Sequence, residues 1–493
     1  MRPLLEHSIT VDAISRMVHG ETCLEPTLTF TGVSSSDSEV IEGDLFLAYP
    51  GKTTHGAQFA AKAIAKGARA ILTDSQGAKI ASNVPTIVVA DARIAGAVVS
   101  ASLYGKPMQE MVSIGITGTN GKTTVSTLLY QLFEKAGREC GLIGTVETRI
   151  GRESIPSART TPEADELQAL AATMSERHLR HLVMEVSSHA MVMKRMVGSH
   201  FSIVGFTNLT QDHLDFHHDM ESYFAAKASL FTLEYADRAF INIDDPYGMR
   251  LFNQCPIPAV SLSRQNTKAT WHYTSITPDS SGTSFSLRGS GGILIESTTP
   301  LRGDFNLDNL LLTFAIAVEC GIDPLDCAAI APHLYGAPGR METIDRGQNF
   351  AALVDYAHTP DAVSSALSTA RKFTTGKVIA ILGCGGDRDS SKRPLMGKAL
   401  LGGSDIAIFT SDNPRSEDPK KILDDMTGPL VIAEPSKIII DRKSAIEYAV
   451  SLCDAGDTLL LLGKGHEKGQ EILGRKIDFD DRIVLAEALE ALR

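Results

Sequence analysis

Of all its stretches, Gly118-Thr119-Asn120-Gly121-Lys122-Thr123-Thr124 most constrains what this chain can fold into, because of what stands on either side of it. Val112-Ser113-Ile114-Gly115-Ile116 before it is a short apolar run suited to a buried parallel strand. Val125 to Ala136 after it carries Leu128, Leu129, Leu132 and Phe133 at helical spacing. A Gly-rich turn joining such a strand to such a helix aims backbone N–H groups and the helix dipole at phosphate oxygens. Lys122 would bridge the outer phosphates, and the Thr123 hydroxyl would ligate Mg²⁺. The strict GxxxxGK[ST] pattern is missed by one place, since Ile116 occupies the first Gly position and Gly115 lies one residue earlier. A tight structural turn is the competing reading; the flanking strand and amphipathic helix favour nucleotide binding.

Strand–loop–helix units recur along the chain, which predicts an α/β protein. At 493 residues it is too long for one core, and roughly 150 residues per domain suggests about three. Residues 1–108 read as a small α/β domain, with strand-like Asp44-Leu45-Phe46-Leu47-Ala48 and Pro85-Thr86-Ile87-Val88-Val89 around a helical Phe59–Lys66. Tyr104-Gly105-Lys106-Pro107 is the break before a parallel-sheet nucleotide domain over 109–338. That domain includes strands at Leu182-Val183-Met184 and Ile203-Val204-Gly205-Phe206, and a Ser/Thr/Gly-rich antiparallel insertion over 269–299. After Gly336-Ala337-Pro338-Gly339-Arg340, residues 339–493 form a Rossmann-like series with strands near 352–354, 378–382, 406–409 and 458–462.

Composition narrows the function classes. The net charge of -12 argues against non-specific binding to nucleic acid or a membrane surface. Any anionic substrate must then be held by locally placed Arg, Lys or metal. The seven cysteines are scattered without a CxxC pair, which predicts reduced thiols rather than a disulfide framework or structural zinc. No run of 18 or so apolar residues stands out, and the first residues lack a signal-peptide pattern, so a cytoplasmic protein is expected.

Two polar clusters follow predicted strands. Glu185-Val186-Ser187-Ser188-His189 offers a hard carboxylate for Mg²⁺ at Glu185. In Thr207-Asn208-Leu209-Thr210-Gln211-Asp212-His213-Leu214-Asp215-Phe216-His217, His213 and His217 stand four apart, but the Glu of HExxH is replaced by Leu214, which disfavours a zinc protease.

Taken together with MEVSSH, AAKASLF, GDFNLDN, GAPGRME, VDYAHTP, GCGGDRD, SDNPR and GKGHE, these motifs resemble the Mur ligase family over nearly the whole chain. The resemblance implies an ATP-dependent, Mg²⁺-requiring ligase of peptidoglycan precursor synthesis, working through an acyl phosphate on a UDP-sugar dipeptide. It implies ATP contacts at Gly118 to Thr124, Asn306, Asn309, Arg340 and Asp355. Metal ligation falls to Thr123, Glu185, His213 and Lys227, the last as a carbamate formed with CO₂. Lys122, His213 and Lys227 are the implied catalytic residues. Ser36, Ser38, Thr160, Thr161, Ser187 and Arg195 match positions that hold the UDP-sugar peptide, with His55 expected in the loop adjacent to the uridine. Met193 stands where the family usually has Gln, and Ser36-Asp37-Ser38-Glu39 lacks the family's Arg.

The resemblance also implies the acceptor, since within the family Asp412-Asn413-Pro414-Arg415 goes with diaminopimelate and a non-basic residue at the Arg position goes with lysine. Arg415 offers a planar fork for a second carboxylate, which meso-diaminopimelate has and lysine lacks. Arg388, Gly463 and Glu467 would complete that pocket, Glu467 accepting from an ammonium. From the residues alone Arg415 reads first as an exposed turn residue and Lys227 as a solvated lysine, while Asn306 reads as a helix N-cap, a role that can coexist with binding. The alternatives are a lysine-adding relative, a folylpolyglutamate synthase-like ligase, or, in another class, a P-loop switch. No nucleic-acid or membrane partner is expected, and the chain is expected to be a monomer.

Overall fold

A computed structural model describes residues 2–51, 53–278, 282–428 and 430–492. Three sheets carry the chain, each wrapped by helices. The first is all parallel, in the order β1 (Gly32–Ser34), β2 (Asp44–Leu47), β3 (Ala70–Thr73), β4 (Thr86–Val88).

The central sheet has eleven strands. In chain order they are β5 (Val112–Thr117), β6 (Cys140–Ile143), β7 (Glu147–Ile150), β8 (Glu153–Pro156), β9 (His181–Glu185), β10 (Phe201–Phe206), β11 (Ala236–Asn242), β12 (Ala259–Ser263), β13 (Trp271–Pro278), β14 (Thr283–Arg288) and β15 (Leu294–Thr299). Across the sheet the order is β8-β7-β6-β9-β5-β10-β11-β12-β13-β14-β15. The span from β6 to β13 is parallel, and antiparallel strands finish both ends. The Ser/Thr-rich insertion is antiparallel as expected. It extends the nucleotide sheet rather than forming a separate one, because β13 pairs with β12.

Alternation along the strands splits the central core. Ile114, Ile116, Val183 and Ile203 pack beneath α1 (Lys122–Lys135) and Asp304–Glu319, against Leu128, Phe133, Leu310 and Phe314. Leu182, Met184, Val204 and Phe206 pack on the other face with Leu167, Leu170 and Phe231. Ala169 and Ala172, on the helix Ala164–Glu176, also enter the first domain's core, so that helix is shared between two domains.

The third sheet holds β16 (Glu342–Thr343), β17 (Ala351–Asp355), β18 (Val378–Leu382), β19 (Ile406–Phe409), β20 (Lys437–Ile438) and β21 (Thr458–Leu462), ordered β16-β17-β21-β18-β19-β20. All pairs but β16–β17 are parallel. A hairpin, β22 (Gly469–Ile472) and β23 (Arg475–Asp478), lies beyond it. Among the described residues no helix is long and apolar enough to cross a membrane.

Candidate active site

The strand order places chemistry where it reverses. β5 lies between β9 and β10, so the loop after β5 meets the ends of both neighbours. Gly118 has φ 147° and Gly121 has φ 89°. A Cβ on Gly118 would collide with the Thr207 hydroxyl, and one on Gly121 with the Asn309 amide oxygen. Only glycine meets both demands. Helix α1 then starts with no side-chain cap at Gly121, leaving its first N–H groups to serve a ligand. The loop is braced by the chain after β10: Thr119 N donates to Asn208 O (2.8 Å), Asn120 N to Asn208 Oδ1 (3.0 Å), and Thr207 Oγ1 to Asn120 O (2.6 Å). Thr124 is buried in the first turn of α1.

Glu185 ends β9 with no exposed surface. Its carboxylate accepts from Thr123 Oγ1 (2.9 Å), Thr145 N (2.7 Å) and Thr145 Oγ1 (3.0 Å). Among the described residues it forms no ion pair, so a buried carboxylate and a hydroxyl stand together as hard oxygen donors. That set fits Mg²⁺, which takes few protein ligands and leans on substrate phosphates and water. Among the described residues no group of three His, Cys, Asp or Glu forms a ready metal cage.

Two lysines converge on the same loop. Lys122 Nζ donates to Gly118 O (2.8 Å) and Thr119 O (2.9 Å), and Lys227 Nζ donates to Gly118 O (2.7 Å). Burial depresses the Lys122 ammonium, partly offset by Glu185. Lys227 is 1% exposed, not solvated. Burial, then the Lys122 charge, pushes it well below the ordinary lysine value. A buried lysine kept neutral is what carbamylation requires.

His213 sits in the left-handed region at φ 56° just before the short helix Leu214–His217, so it and His217 do not form a helical ligand pair. Its ring meets His189 edge-on at 4.9 Å, and His217 Nε2 lies 2.8 Å from Ser188 Oγ. Burial depresses the His213 imidazole, opposed by Asp212.

The hinge side gathers the expected adenine-side residues in part. Asn306 and Arg340 line one cleft of about 340 Å³, with Pro338 and Tyr335. Asn306 is not the N-cap: Gly303 holds that place, and Asn306 Nδ2 donates back to Arg302 O (2.8 Å). Asn309 faces Gly121 instead. Asp355 ends β17, accepting from Met341 N (2.7 Å) and Ala357 N (2.8 Å), which fixes the hinge strand against the third sheet. Burial raises its carboxyl, with the Arg340 guanidinium opposing.

Thr160, Thr161, Ser187 and Arg195 lie together beside Glu185. Thr161 Oγ1 donates to Glu185 O (2.9 Å) and accepts from Ser187 N (3.1 Å), while Thr160 Oγ1 accepts from Thr145 Oγ1 (3.0 Å). Arg195 donates to Thr161 O (3.0 Å) and pairs with Glu163 (2.7 Å). Ser36 and Ser38 are not in this group. They share a hydroxyl contact of 2.7 Å in the loop after β1, on the first domain. His55 is buried in that domain, its Nδ1 accepting from Ala57 N.

A second cleft of about 340 Å³ opens between the central and third domains. Arg388, Asp412, Asn413, Arg415, Gly463 and Glu467 line it, and His213 closes it from the central side. Pro414 does not line it; its carbonyl packs against Gly386. Arg415 has φ 52° and donates Nη1 to Gly386 O (2.6 Å). The hairpin fixes its backbone, through Arg415 N to Glu471 O (2.9 Å).

Some groups that pack around the candidate site are not evident in the sequence. Asp212, buried, lies 3.8 Å from Lys392 Nζ and 4.0 Å from His358 Nε2, both of the third domain. Thr145 helps hold Glu185, and Lys464 lies beneath this second cleft. The acid just before His213 and the Lys of GKGHE stand within family motifs, but nothing in spacing alone distinguishes them from solvated charges.

Known proteins share both the sequence and the fold around this site. Residues 28–109 match the Mur ligase family catalytic domain, 116–317 the Mur ligase middle domain, and 339–465 the Mur ligase glutamate ligase domain. A Streptomyces coelicolor protein named UDP-N-acetylmuramoyl-L-alanyl-D-glutamate--2,6-diaminopimelate ligase is 44% identical, over 93% of this chain and 92% of its own. A Corynebacterium glutamicum protein of the same name is 41% identical, over 94% and 92%. A solved structure of a ligase of that name superposes with TM-score 0.69 at 31% identity, covering 98% and 99%. A Mycobacterium tuberculosis folylpolyglutamate synthase shares the fold, with TM-score 0.60 at 19% identity over 81% of this chain and 94% of that one. The chain belongs to the Mur ligase family, whose members are ATP-dependent ligases joining an acid to an amino acid.

Proposed function

We propose that this protein joins meso-diaminopimelate to UDP-N-acetylmuramoyl-L-alanyl-D-glutamate at the expense of ATP, in peptidoglycan precursor synthesis. The observation that carries the acceptor is the second cleft. There a guanidinium pair, Arg388 and Arg415, and a carboxylate, Glu467, face one cavity that His213 closes. An amino acid with a carboxylate and an ammonium at its far end suits that arrangement. The relatives named for this reaction support the same reading.

In this reading the D-glutamyl carboxylate attacks the γ-phosphoryl group of ATP, giving an acyl phosphate and ADP. The acceptor amine then adds to the acyl carbon, and phosphate leaves. Negative charge builds on phosphoryl oxygens in the first step and on the carbonyl oxygen in the second. The bare N-terminus of α1 and the Lys122 ammonium face the first of these charges. Thr123, Glu185 and the carbamate of Lys227 would hold Mg²⁺, which supplies charge neutralisation at the phosphates. Thr160, Thr161, Ser187 and Arg195 hold the sugar peptide so that its carboxylate reaches the loop, and Ser36 and Ser38 take the uridine end. Asn306, Asn309, Arg340 and Asp355 hold the nucleotide across the hinge.

The test is an acceptor screen, following phosphate release with ATP, the UDP-sugar dipeptide and single amino acids. Meso-diaminopimelate should be used far faster than L-lysine. Equal rates would sink the acceptor assignment. Phosphate release with no amino acid at all would favour a nucleotide switch instead.

A further inference from the structure

Lys464 does not line the acceptor cleft, yet it touches what does. It has no exposed surface. Its Nζ donates to Gly469 O at 2.7 Å and lies 3.4 Å from both Asn413 Oδ1 and Glu467 Oε2. Asp412 Oδ1 is 3.7 Å away. A buried ammonium is tolerated only with such company, and here the company is two carboxylates that would otherwise repel each other.

The contacts also fix orientations. Asn413 Oδ1 accepts from Glu471 N (3.0 Å) as well as facing Lys464, so its amide can point only its Nδ2 toward Glu467, at 2.7 Å from Oε2. Glu467 Oε2 is thereby occupied by Lys464 and Asn413. Oε1, 3.4 Å from the Tyr356 hydroxyl, is the oxygen left to meet a ligand. One lysine therefore ties its own loop, which carries Glu467 and runs into the hairpin β22–β23, to the distant loop of Asp412 and Asn413. Burial raises the Asp412 carboxyl, and the Lys464 charge opposes that most strongly.

We propose that Lys464 is a positioning residue that sets the charge balance of the acceptor cleft, and with it the preference for an amino acid whose far end carries both a carboxylate and an ammonium. The inference rests on the ligase reading above. With Lys464 in place the acids Asp412 and Glu467 are partly neutralised, so Arg415 and Arg388 leave the cleft attractive to a carboxylate. Without it the cleft becomes more negative by one charge. It then repels the far carboxylate and favours a bare ammonium, as on lysine.

The experiment compares the wild-type enzyme with Lys464→Met and Lys464→Arg, measuring kcat and KM for meso-diaminopimelate, L-lysine, ATP and the UDP-sugar dipeptide. For Lys464→Met the ratio of kcat/KM for diaminopimelate over lysine should fall about ten-fold or more, the scale of one lost charge-assisted contact. KM for ATP and for the dipeptide should stay within about two-fold, because Lys464 touches Gly469, Asn413, Glu467 and Asp412, none of them assigned to either substrate. Lys464→Arg keeps the charge and should keep most of the ratio. An unchanged ratio overturns the proposal, as does an equal rise in all KM values or a Lys464→Arg enzyme as unselective as Lys464→Met. Should Lys464→Met fail to fold, Asn413→Asp adds the same unit of negative charge without opening a cavity; it must lower the ratio too, and an unchanged ratio again overturns the idea. A wild-type enzyme that prefers some other amino acid sinks the acceptor assignment alone. The variants are then compared on KM for that amino acid and KM for ATP. A rise confined to the amino acid supports the role of Lys464, and a common rise or no rise overturns it.

Discussion

The phosphate loop and the acceptor cleft both sit at the C-terminal ends of parallel strands, and they acquire their geometry in different ways. Gly118 to Thr124 is one unbroken run whose shape comes from backbone: two glycines with positive φ, and a helix that starts uncapped. The cleft is assembled from loops far apart in the chain, after β18, β19 and β21, and closed by a histidine from another domain. A backbone site needs a few residues of special conformation. A side-chain site needs correct long-range packing before any of its groups can act. The loop should therefore fail by losing chemistry outright, and the cleft by losing discrimination.

The sharpest break of that contrast is Lys122→Ala. It should cost about 10³-fold in substrate-dependent phosphate release while the protein stays folded, because one preorganised charge at the phosphates is gone. A near-wild-type rate would show that the loop does not carry the transfer. Arg415→Ala should cost about 10²-fold in kcat/KM for meso-diaminopimelate and little for lysine, a loss of discrimination. Equal losses for both amino acids would erase the distinction between the two regions.

Lys227 sharpens the loop side. Burial, then the Lys122 charge, pushes its amine well below the ordinary lysine value, the direction that CO₂ uptake needs. Stripping CO₂ from the buffer should lower the rate about ten-fold, on the scale of one lost charge near the phosphates, and bicarbonate should restore it. Lys227→Gln should be slow and indifferent to bicarbonate; a wild-type rate that ignores CO₂ would count against the carbamate.

The smallest expected effect concerns the cleft side and acid. Burial, then Arg340 and Arg482, hold His466 down to about 4 from the ordinary 6.5. Between those values the unfolded chain binds a proton that the folded one refuses, so this histidine's contribution to stability is fully present above 6.5 and is lost as pH falls through 4. Melting temperature should drop on going from neutral pH toward that window, and His466→Gln should reduce the drop by about a degree or two. Identical pH profiles for both proteins would show that another group sets it.

Much of the fold was legible because apolar strands such as Val378–Leu382 and Thr458–Leu462 are bounded by polar loops, and periodicity reads such runs directly. The loop was legible for the same local reason. Lys227 and Arg415 were not: a lysine in an Ala-rich helix and an arginine in a polar turn look solvated until tertiary packing buries one and aims the other. Only resemblance to a family singled them out. Asp212 and Lys464 stayed hidden even so, since their partners, Lys392 and Asp412 among them, come from distant segments. Asn306 misled in the other direction, because Asp304 already lies inside the helix and the cap falls one residue earlier, at Gly303.

The width of the central sheet has a consequence for solubility. Among the described residues, eleven strands in an open sheet leave two unpaired edges, β8 and β15, each a template on which another chain could add a strand. β8 is only four residues long, carries Glu153 paired to Arg177, and ends in Pro156, which has no N–H to offer a neighbour. β15 carries Glu296, and its Ser297 hydroxyl is turned onto Ala328 O of the helix Pro324–Ile330. Replacing Glu153 and Pro156 by valine would lengthen the bare ladder at one edge, and concentration-dependent aggregation would be the symptom.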